Sequence, residues 1–432
     1  MLDKTVRFID LFAGIGGIRT GLSQALGDAG FTPQCVLTSE IKPYAIRVLQ
    51  DNYPQESLVG DVTQLDTTDI PDFDILCAGF PCQAFSSAGK RHGFADTRGT
   101  LFFEVERILR EKKPKGFILE NVEGLVSHDN GKTLDVILTS LRALGYKVTY
   151  RVLNSRDFGV PQERKRIYIT GTFSTDPNLD NFPGSSKTVG DILERGIPAE
   201  SSPFIDSLLS HYSVSDLYGK SIKDKRGGGS NIHSWDLEIK GAVSIDQKTL
   251  LNCMLRERRK KKWAEEIGID WMDGMPLTLN QIHTFFPHPQ LGEMLEDLVC
   301  KGYLKYEHPK QKKTHTDLFG RTTTVREPDT SLPKGYNIVA GKLSFEISKV
   351  LDPADVAPTL VATDMQKLYV SDGEGLRRLT LREGLRLFGY PETMNLNVSE
   401  KEGFDLLGNT VAVPVIKAVS SRLITAINTP TP

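Results

Sequence analysis

The sequence has 432 residues, of which 39% are hydrophobic and 25% are charged, so it can bury a large core and is long enough for two domains. The formal net charge is −2, so overall basicity gives no reason to expect nucleic-acid binding. Any basic surface must come from an uneven distribution of charge. The 5 cysteines are scattered without a CxxC pair, which argues against a disulfide framework and a zinc site and fits a reducing compartment.

The N-terminal part alternates apolar strands with helices, which predicts a mostly parallel sheet covered on both faces. Strands are predicted at residues 6–12, 34–39, 73–78, 116–119, 147–154 and 166–171, and helices at 18–26, 101–111 and 133–144. A linker rich in Asp, Asn, Pro, Gly and Ser follows at 174–186, and clean alternation is lost from 187 to 375. Two further helices are predicted at 376–389 and 411–427. The fold class is therefore α/β.

A glycine-rich turn, FAGIGG at residues 12–17, separates the first predicted strand from the first helix. Glycines let a backbone approach a ligand closely, and Glu40 at the end of the next strand is placed to accept hydrogen bonds from ribose hydroxyls. Asp61 ends the following short segment, where it can hold an adenine amino group. The pattern also occurs in dinucleotide-binding proteins, so alone it indicates a nucleoside cofactor, and a tight turn without any ligand stays open.

Three polar groups follow strands of the predicted sheet. Cys82 comes directly after Pro81 in a loop that follows a strand, where chemistry collects in open α/β sheets; a buried structural cysteine is the alternative, which suits Cys77 better. Glu120 ends the neighbouring strand, and a nucleophile with a carboxylic acid suits attack on an electron-poor ring. Arg164 and Arg166 share a strand face and can hold a phosphate or a base carbonyl, although solvated arginines at a sheet edge are common.

Together these segments resemble the bacterial DNA (cytosine-5)-methyltransferases of the restriction–modification type. The motifs stand in that family's order: FIDLFAGIGG at 8–17, Glu40, GDV at 60–62, GFPCQAFS at 79–86, ENV at 120–122, QERKRIYI at 162–169, RRLTLREGLRLFGYP at 377–391 and GNTVAVP at 408–414. The resemblance implies a Rossmann-like S-adenosylmethionine-dependent methyltransferase sheet with helices on both faces, plus a smaller irregular target-recognition domain. It places the catalytic and cofactor-binding domain at 1–185, completed by 400–432, and the target-recognition domain with its hinge at 186–399.

The resemblance also assigns roles to residues. It implies that Cys82 adds to carbon 6 of a flipped-out cytosine, that protonated Glu120 hydrogen-bonds ring nitrogen 3, and that carbon 5 then takes the methyl group before its proton is lost. The implied catalytic residues are Cys82, Glu120, Arg164 and Arg166. The implied cofactor contacts are Phe12, Gly14, Ile15, Gly16, Glu40, Asp61, Val62, Pro81, Leu101, Asn409 and Val411. The implied contacts to DNA are Gln83, Ser86, Asn121, Gln162, Thr359 and Leu360.

The middle of the long recognition region has the order of a winged helix-turn-helix, at about 275–328. Helices are predicted at 277–286 and 290–301, a strand at 303–306, a basic turn at 310–313 and a returning strand at 322–325. We expect this insertion to contact DNA through Lys310, Lys312, Lys313 and Arg321, with the basic run 256–262 adding phosphate contacts. A small packing subdomain with a solvated charged helix face is the open alternative.

The expected enzyme transfers a methyl group from S-adenosylmethionine, leaving S-adenosylhomocysteine, to cytosine in a specific double-stranded DNA sequence. We expect it to work without a metal, as a cytoplasmic monomer without membrane segments, in a restriction–modification system with a separate endonuclease or as an orphan methylase. A tRNA cytosine-5 methyltransferase shares the chemistry but has a small recognition region. A nicotinamide-dependent oxidoreductase leaves Cys82 and Glu120 without a role, and an inactive DNA-binding protein would need a broken centre.

Overall fold

The computed structural model describes residues 2–81, 101–224, 231–272, 274–316, 322–339, 345–362, 364–371, 373 and 375–429. The chain forms two compact units. Unit 1 comprises Met1–Pro198, Leu351–Gln366 and Arg378–Pro432, and unit 2 comprises Ala199–Val350 and Lys367–Arg377. The units therefore divide the chain at other residues than 185/186 and 399/400. Unit 1 extends to Pro198, resumes at Arg378, and also includes Leu351–Gln366. The functional division into two domains stays a prediction.

Unit 1 is built on a seven-stranded sheet in the order β3-β2-β1-β4-β5-β7-β6. Its strands are β1 (Thr5–Leu11), β2 (Thr32–Ser39), β3 (Leu58–Val59), β4 (Ile75–Ala78), β5 (Gly116–Val122), β6 (Lys147–Asn154) and β7 (Lys165–Thr172). Strand β7 runs antiparallel to both of its neighbours, whereas the pairs that join β3, β2, β1, β4 and β5 are parallel. The carboxyl ends of β1, β2, β4 and β5 therefore meet at one edge, where ligands bind in open α/β sheets.

Helices cover both faces of this sheet. They are α1 (Gly17–Asp28), α2 (Pro43–Asn52), α3 (Leu101–Lys112) and α4 (Lys132–Ala143). Alternation along β1 sends Ile9 and Leu11 into the core formed with α3 and α4, and Val6 and Phe8 into the core on the opposite face with α1. The near-continuous apolar strands of the sequence reflect this burial on both sides.

Unit 2 contains short elements around two separate cores. Its helices are α5 (Pro203–His211), α6 (Val214–Leu217), α7 (Ile245–Glu257), α8 (Lys262–Glu265), α9 (Leu279–His283) and α10 (Leu291–Cys300). Its strands are β8 (Ser221–Ile222), β9 (Asn231–Ile232), β10 (Leu304–Glu307), β11 (Lys310–Thr316), β12 (Thr322–Pro328), β13 (Gly335–Ile338), β14 (Lys349–Val350) and β15 (Leu368–Val370), with β16 (Arg377–Arg378) at its end. A five-stranded sheet has the order β16-β15-β14-β8-β9, while β10 pairs with β13 and β11 with β12.

The chain ends with α11 (Leu381–Leu387), α12 (Glu400–Gly408) and α13 (Val413–Asn428), which belong to unit 1. Val415, Ile416 and Val419 of α13 complete the core between α1 and the sheet. Within the described ranges, Glu400–Asn428 is the stretch that length and composition would allow to cross a membrane, and 67% of its apolar window is buried inside the fold.

Most elements predicted for unit 1 are confirmed within a few residues. The helix predicted at 376–389 is wrong over residues 376–380, since Arg377–Arg378 is a strand and α11 begins only at Leu381. Thr380 explains this start, because its side chain accepts a hydrogen bond from the Glu383 backbone and Glu383 bonds back in a capping box.

The predicted winged segment is confirmed in part. Helices α9 and α10 and strand β10 occur where expected, but the basic turn at 310–313 is wrong because those residues belong to β11. Strand β11 pairs antiparallel with β12 over its whole length, and β10 pairs instead with β13. The hairpin therefore extends further along the chain than the sequence pattern indicated, and Arg321 lies outside the described residues.

Candidate active site

The glycine-rich turn after β1 has a backbone that most side chains would not permit. Phe12, Gly14 and Gly16 have φ angles of 55°, 57° and 80°, in the left-handed region. A Cβ added at Gly14 would meet no atom within 4 Å, so the space in front of it is open. Gly17, by contrast, faces the Tyr390 hydroxyl and Val411 so closely that a Cβ would lie 2.6 Å from each. The turn thus combines tight packing behind it with free space on its outer side.

Glu40 links this turn to the end of β2. Its Oε2 accepts a hydrogen bond from the Gly14 backbone N–H at 2.7 Å, and its Oε1 accepts from the Ile41 and Lys42 N–H groups at 2.8 Å each. Asp61 is fixed in a similar manner, because its Oδ1 accepts from the Thr63 N–H at 2.9 Å. Each carboxylate is therefore held by backbone groups in one orientation and retains lone pairs for a ligand.

A cavity of about 730 Å³ lies at the carboxyl edge of the sheet, within unit 1. This volume suits a nucleoside-sized ligand together with part of a substrate. The predicted cofactor contacts that line it are Phe12, Gly14, Glu40, Asp61, Val62, Pro81, Leu101 and Asn409. Glycine turn, ordered carboxylates and open volume together fit a nucleoside cofactor such as S-adenosylmethionine.

Three predicted cofactor contacts are not among the described residues that line this cavity. Ile15 is fully buried, and Val411 packs in the core beneath the turn. A Cβ at Gly16 would lie 2.7 Å from the Arg19 side chain, so this glycine is required by packing and by its φ angle. Ile15, Gly16 and Val411 thus stabilise the conformation of the turn through packing.

The cavity also holds the predicted acid and both arginines, Glu120, Arg164 and Arg166. Glu120 lies near the end of β5 and is 9% exposed, with its Oε1 3.2 Å from Nε of Arg166. Burial raises the pKa of the Glu120 carboxyl, and the guanidinium groups of Arg166 and Arg164 offset this only in part. The environment therefore favours the protonated acid over a wider pH range than in water.

Arg164 is bound differently from Arg166. Its Nη1 donates to the Leu360 carbonyl at 3.0 Å, and its Nη2 donates to the carbonyls of Thr410 at 2.8 Å and Gly408 at 3.3 Å. Burial and the adjacent Arg166 charge lower the pKa of Arg164 to about 10. One buried guanidinium thus ties three backbone positions from two distant chain segments to the edge of the cavity.

The loop that leads to Cys82 starts beside Glu120. A Cβ at Gly79 would lie 3.8 Å from Oε2 of Glu120, and Asn121 donates from Nδ2 to the Phe80 carbonyl at 2.8 Å. Strands β4 and β5 are parallel neighbours, which confirms that the two strand ends meet. Cys82, Gln83 and Ser86 lie outside the described residues.

The remaining predicted DNA contacts connect segments of unit 1. Gln162 is fully buried and donates from Nε2 to the Leu387 carbonyl at 3.0 Å. Thr359 donates from Oγ1 to the Glu163 carbonyl at 2.6 Å, and the adjacent Leu360 is buried. Gln162 and Thr359 thus join the β7 segment to two later parts of the chain.

Comparison with known proteins decides the family. A sequence model of the family described as C-5 cytosine-specific DNA methylase matches residues 6–425. The chain belongs to this family. It is therefore a DNA (cytosine-5)-methyltransferase that uses S-adenosylmethionine, and the expectation drawn from its motifs is confirmed.

Relatives match this methyltransferase over nearly its whole length. Type II methyltransferase M.NlaIV of Neisseria lactamica is 62% identical over 98% of this chain and 99% of its own. M.NgoBV of Neisseria gonorrhoeae is 60% identical over the same shares. M.BanI of Aneurinibacillus aneurinilyticus is 41% identical over 97% of this chain and 95% of its own. The matches include the recognition region as well as the motifs.

Solved structures support the fold of the methyltransferase. The Entamoeba histolytica methyltransferase EhMeth has a TM-score of 0.53 at 15% identity and covers 99% of this chain and 100% of its own. The Dnmt2 methyltransferase of S. pombe has a TM-score of 0.52 at 17% identity, over 98% and 100% of the two chains. This likeness confirms the Rossmann-like α/β class.

Several residues that line the cavity of the methyltransferase were not predicted from its sequence. Ile41 is 69% exposed although it is apolar, and it lines the cavity directly after Glu40. Phe80 and Leu406 also line the cavity. Ile41 could have been predicted at the cavity, because it is an apolar residue directly after the acid at the end of a strand. Leu406 could not, because only the tertiary fold brings α12 to the cavity. Among the described residues, no group of three or more His, Cys, Asp and Glu side chains could hold a metal ion.

Proposed function

We propose that this methyltransferase modifies a specific duplex DNA sequence in a type II restriction–modification system, with Cys82 as the attacking nucleophile. The observation that carries the proposal is the meeting, in one cavity, of the Glu120–Arg166 pair and the ordered carboxylates of Glu40 and Asp61. A base-reacting site and a nucleoside site must adjoin if a methyl group is to pass between them. The type II relatives at 62% and 60% identity support the biological setting.

We propose that the cofactor lies along the turn and the ends of β2 and β3. Glu40 would accept hydrogen bonds from its ribose hydroxyls, and Asp61 would accept one from its adenine amino group. Ile41 would offer an apolar surface to the adenine ring, and the open space at Gly14 would leave room for the methionine part of the cofactor. When bound, S-adenosylmethionine supplies an electrophilic methyl group. Ile15, Gly16 and Val411 would shape the turn from behind.

We propose that the Cys82 thiolate adds to carbon 6 of cytosine and forms a carbon–sulfur bond. Protonated Glu120 donates a hydrogen bond to ring nitrogen 3 and withdraws electron density, which makes carbon 6 accept the thiolate. After methylation, loss of the proton at carbon 5 restores the double bond and expels the Cys82 thiolate. The cytosine must leave the helix to reach these groups.

The two arginines would serve the reaction in different ways. Arg166 contacts Glu120 and can hold its charge and orientation while the base binds. Arg164 would position the segments that contain Leu360 and Thr410, since its donors bond their carbonyls. Asn121 would fix the Phe80 backbone next to the Cys82 loop.

The remaining contacts would orient the strand around the flipped base. Gln83 and Ser86 follow Cys82 in the same motif, so we propose that they contact the target nucleotide. Thr359 and Leu360 would lie beside it, with Gln162 supporting them from the buried side.

We propose that unit 2 recognises the target sequence, because unit 1 already holds the groups needed for the chemistry. A single chain supplies all of these groups, which supports a monomer, and the motif set includes no metal ligand cluster. The enzyme would act in the cytoplasm, apart from the membrane and from a cognate endonuclease that acts separately.

A labelled-methyl assay tests this proposal. Purified protein and S-adenosylmethionine carrying a labelled methyl group are incubated in parallel with duplex DNA and with transfer RNA, and bisulfite sequencing then locates the product. We expect incorporation into duplex DNA at cytosines in one short sequence. Incorporation into transfer RNA alone, or into neither substrate, would contradict the proposal.

A further inference from the structure

The β11–β12 hairpin in unit 2 has solvent on both faces. Residues 312–316 and 322–325 are all exposed, and the strands pair from Lys310 with Pro328 to Thr316 with Thr322. An isolated two-stranded ribbon is marginally stable in water and normally packs one face on a core. Because neither face of this ribbon packs on a core, both faces are free to contact another molecule.

The basic side chains of the hairpin indicate which class of partner it would bind. Within its two described strands, β11 and β12, the basic residues Lys310, Lys312, Lys313 and Arg326 outnumber one acidic residue, Glu327, although the whole chain has a net charge of −2. Basic side chains concentrated on one protruding element favour a polyanion. The major groove of duplex DNA is wide enough for a two-stranded ribbon, whereas that of an RNA helix is too narrow for side chains to read.

The pairing register separates the hairpin into two faces with different chemistry. Residues directly opposite each other share a face, so Thr314, Thr316, Thr322 and Thr324 form a cluster of neutral hydroxyl and methyl groups. On the other face, Glu327 pairs with Lys313 at 3.5 Å and with His315 at 2.8 Å. Threonine can hydrogen-bond base edges and contact the thymine methyl group, which makes the threonine face suited to reading sequence.

The hairpin is oriented by contacts at its base. Nζ of Lys312 lies 3.3 Å from Oδ2 of Asp270, and Nη2 of Arg326 donates to the Trp271 carbonyl at 3.0 Å. Both contacts lie toward the start of β11 and the end of β12, so the threonine cluster projects away from this anchor.

In a helix-turn-helix the second helix reads the major groove, but α10, the second helix of this segment, has the wrong charge for that role. Helix α10 contains Glu293, Glu296 and Asp297 and no basic residue, while its apolar side faces the core. Glu293 and Glu296 are exposed, and an acidic surface is repelled by phosphates. We propose that the β11–β12 hairpin, rather than α10, enters the DNA major groove, with its threonine face reading bases and its lysines contacting phosphates. This inference rests on the proposed action on duplex DNA.

Two double variants of the full chain test the hairpin. For both, a short duplex carrying the target mapped by methylation sequencing is compared with a duplex lacking it. For Lys312→Ala/Lys313→Ala we expect weaker DNA binding by fluorescence anisotropy, and a higher KM for DNA with kcat retained. The slope of the logarithm of the binding constant against the logarithm of the salt concentration should become shallower by up to roughly 2. In Thr314→Ala/Thr324→Ala we expect discrimination between the duplexes to fall by about fivefold or more.

Matched controls keep this test specific. Lys248→Ala removes another ion-paired lysine of unit 2, 3.3 Å from Glu238, and should leave binding unchanged. Glu293→Gln/Glu296→Gln should also leave DNA affinity unchanged. Hairpin variants that match the wild type in affinity, salt dependence and discrimination would overturn the inference, and so would tighter binding by the α10 variant. Failure of the proposed function would differ, because the wild-type protein itself would neither bind nor methylate duplex DNA.

Discussion

Nε of Arg166 lies 3.2 Å from Oε1 of Glu120, and both side chains line the cavity at the carboxyl edge of the sheet. Strand pairing creates this contact: Arg166 stands opposite Val122 on the neighbouring antiparallel strand, and Val122 and Glu120 are two residues apart and so share a face of β5. The carboxyl thus combines burial, which favours its protonated form, with a cation that limits the effect. A raised pKa lets this acid keep its proton, and so donate to a base nitrogen, at higher pH than a carboxyl in water.

The first prediction concerns the proton on Glu120. Because its pKa is raised, the protonated form should persist to higher pH and activity should decline only as pH rises through that pKa. Glu120→Gln keeps a hydrogen-bond donor, but an amide is a much weaker acid than a carboxyl and withdraws less electron density from the ring, so kcat/KM should fall by about 100-fold or more. The pH profile of kcat/KM should also lose this alkaline decline. A Gln variant with the wild-type profile would show that Glu120 is not the acid.

The second prediction separates the two arginines. Arg164→Met removes hydrogen bonds to three carbonyls and should lower the free energy of unfolding by about 3 kcal/mol or more. Arg166→Met should affect stability less, but the pKa of Glu120 should rise further and move the alkaline decline to higher pH. Urea denaturation and pH–rate profiles check both effects. Equal stability losses with unchanged profiles would contradict the distinction.

The third prediction uses two glycines of the turn. Gly14→Ala places a methyl group in open space beside the cavity at a φ of 57°, and should weaken S-adenosylmethionine binding by about tenfold. Gly17→Ala forces a methyl group to 2.6 Å from Tyr390 and Val411, and should cost about 1–3 kcal/mol of stability with cofactor affinity retained. Calorimetric titration and thermal denaturation measure the two effects. A loss of affinity of the same size in both variants would argue against a ligand at Gly14.

The fourth prediction concerns Asp10, a fully buried carboxyl in β1. Burial raises its pKa to about 8, although the nearby Arg19 charge opposes the shift. The fold therefore favours protonated Asp10, and its contribution to stability should be lost as pH rises from about 4 to about 8, by at most about 1.4 kcal/mol per pH unit. Urea denaturation across this range checks the slope. Asp10→Asn should flatten it, and an unchanged slope would assign the dependence to other groups.

The sequence predicted six of the seven strands of the sheet in unit 1, because most of them appear as short apolar runs, whereas β3 has only two residues and was not predicted. It also located Glu40, Asp61 and Glu120 at the cavity, since each follows or ends such a run. It did not separate Arg164 from Arg166, because strand alternation gives the shared face but not the carbonyls of Leu360, Gly408 and Thr410 that Arg164 binds.

The hairpin was harder to predict for a physical reason. Residues 312–316 show no alternation of apolar and polar side chains, because neither face of the hairpin packs on a core. Periodicity therefore gives no indication of a strand there. Four basic or amide residues in succession therefore suggested a turn. The start of α11 was readable from Thr380 and Glu383, whose spacing is that of a capping box.

The most direct test of the central claim is covalent trapping at Cys82. In duplex DNA with 5-fluorocytosine at the mapped target, carbon 5 has no proton to lose after methylation, so the bond to the nucleophile should persist. Mass spectrometry should then locate the DNA adduct on the peptide that contains Cys82, and Cys82→Ala should form no adduct while still binding S-adenosylmethionine. Cys300→Ala, which removes an exposed cysteine, should react as the wild type does. An adduct on another residue, or methylation by Cys82→Ala, would contradict the account.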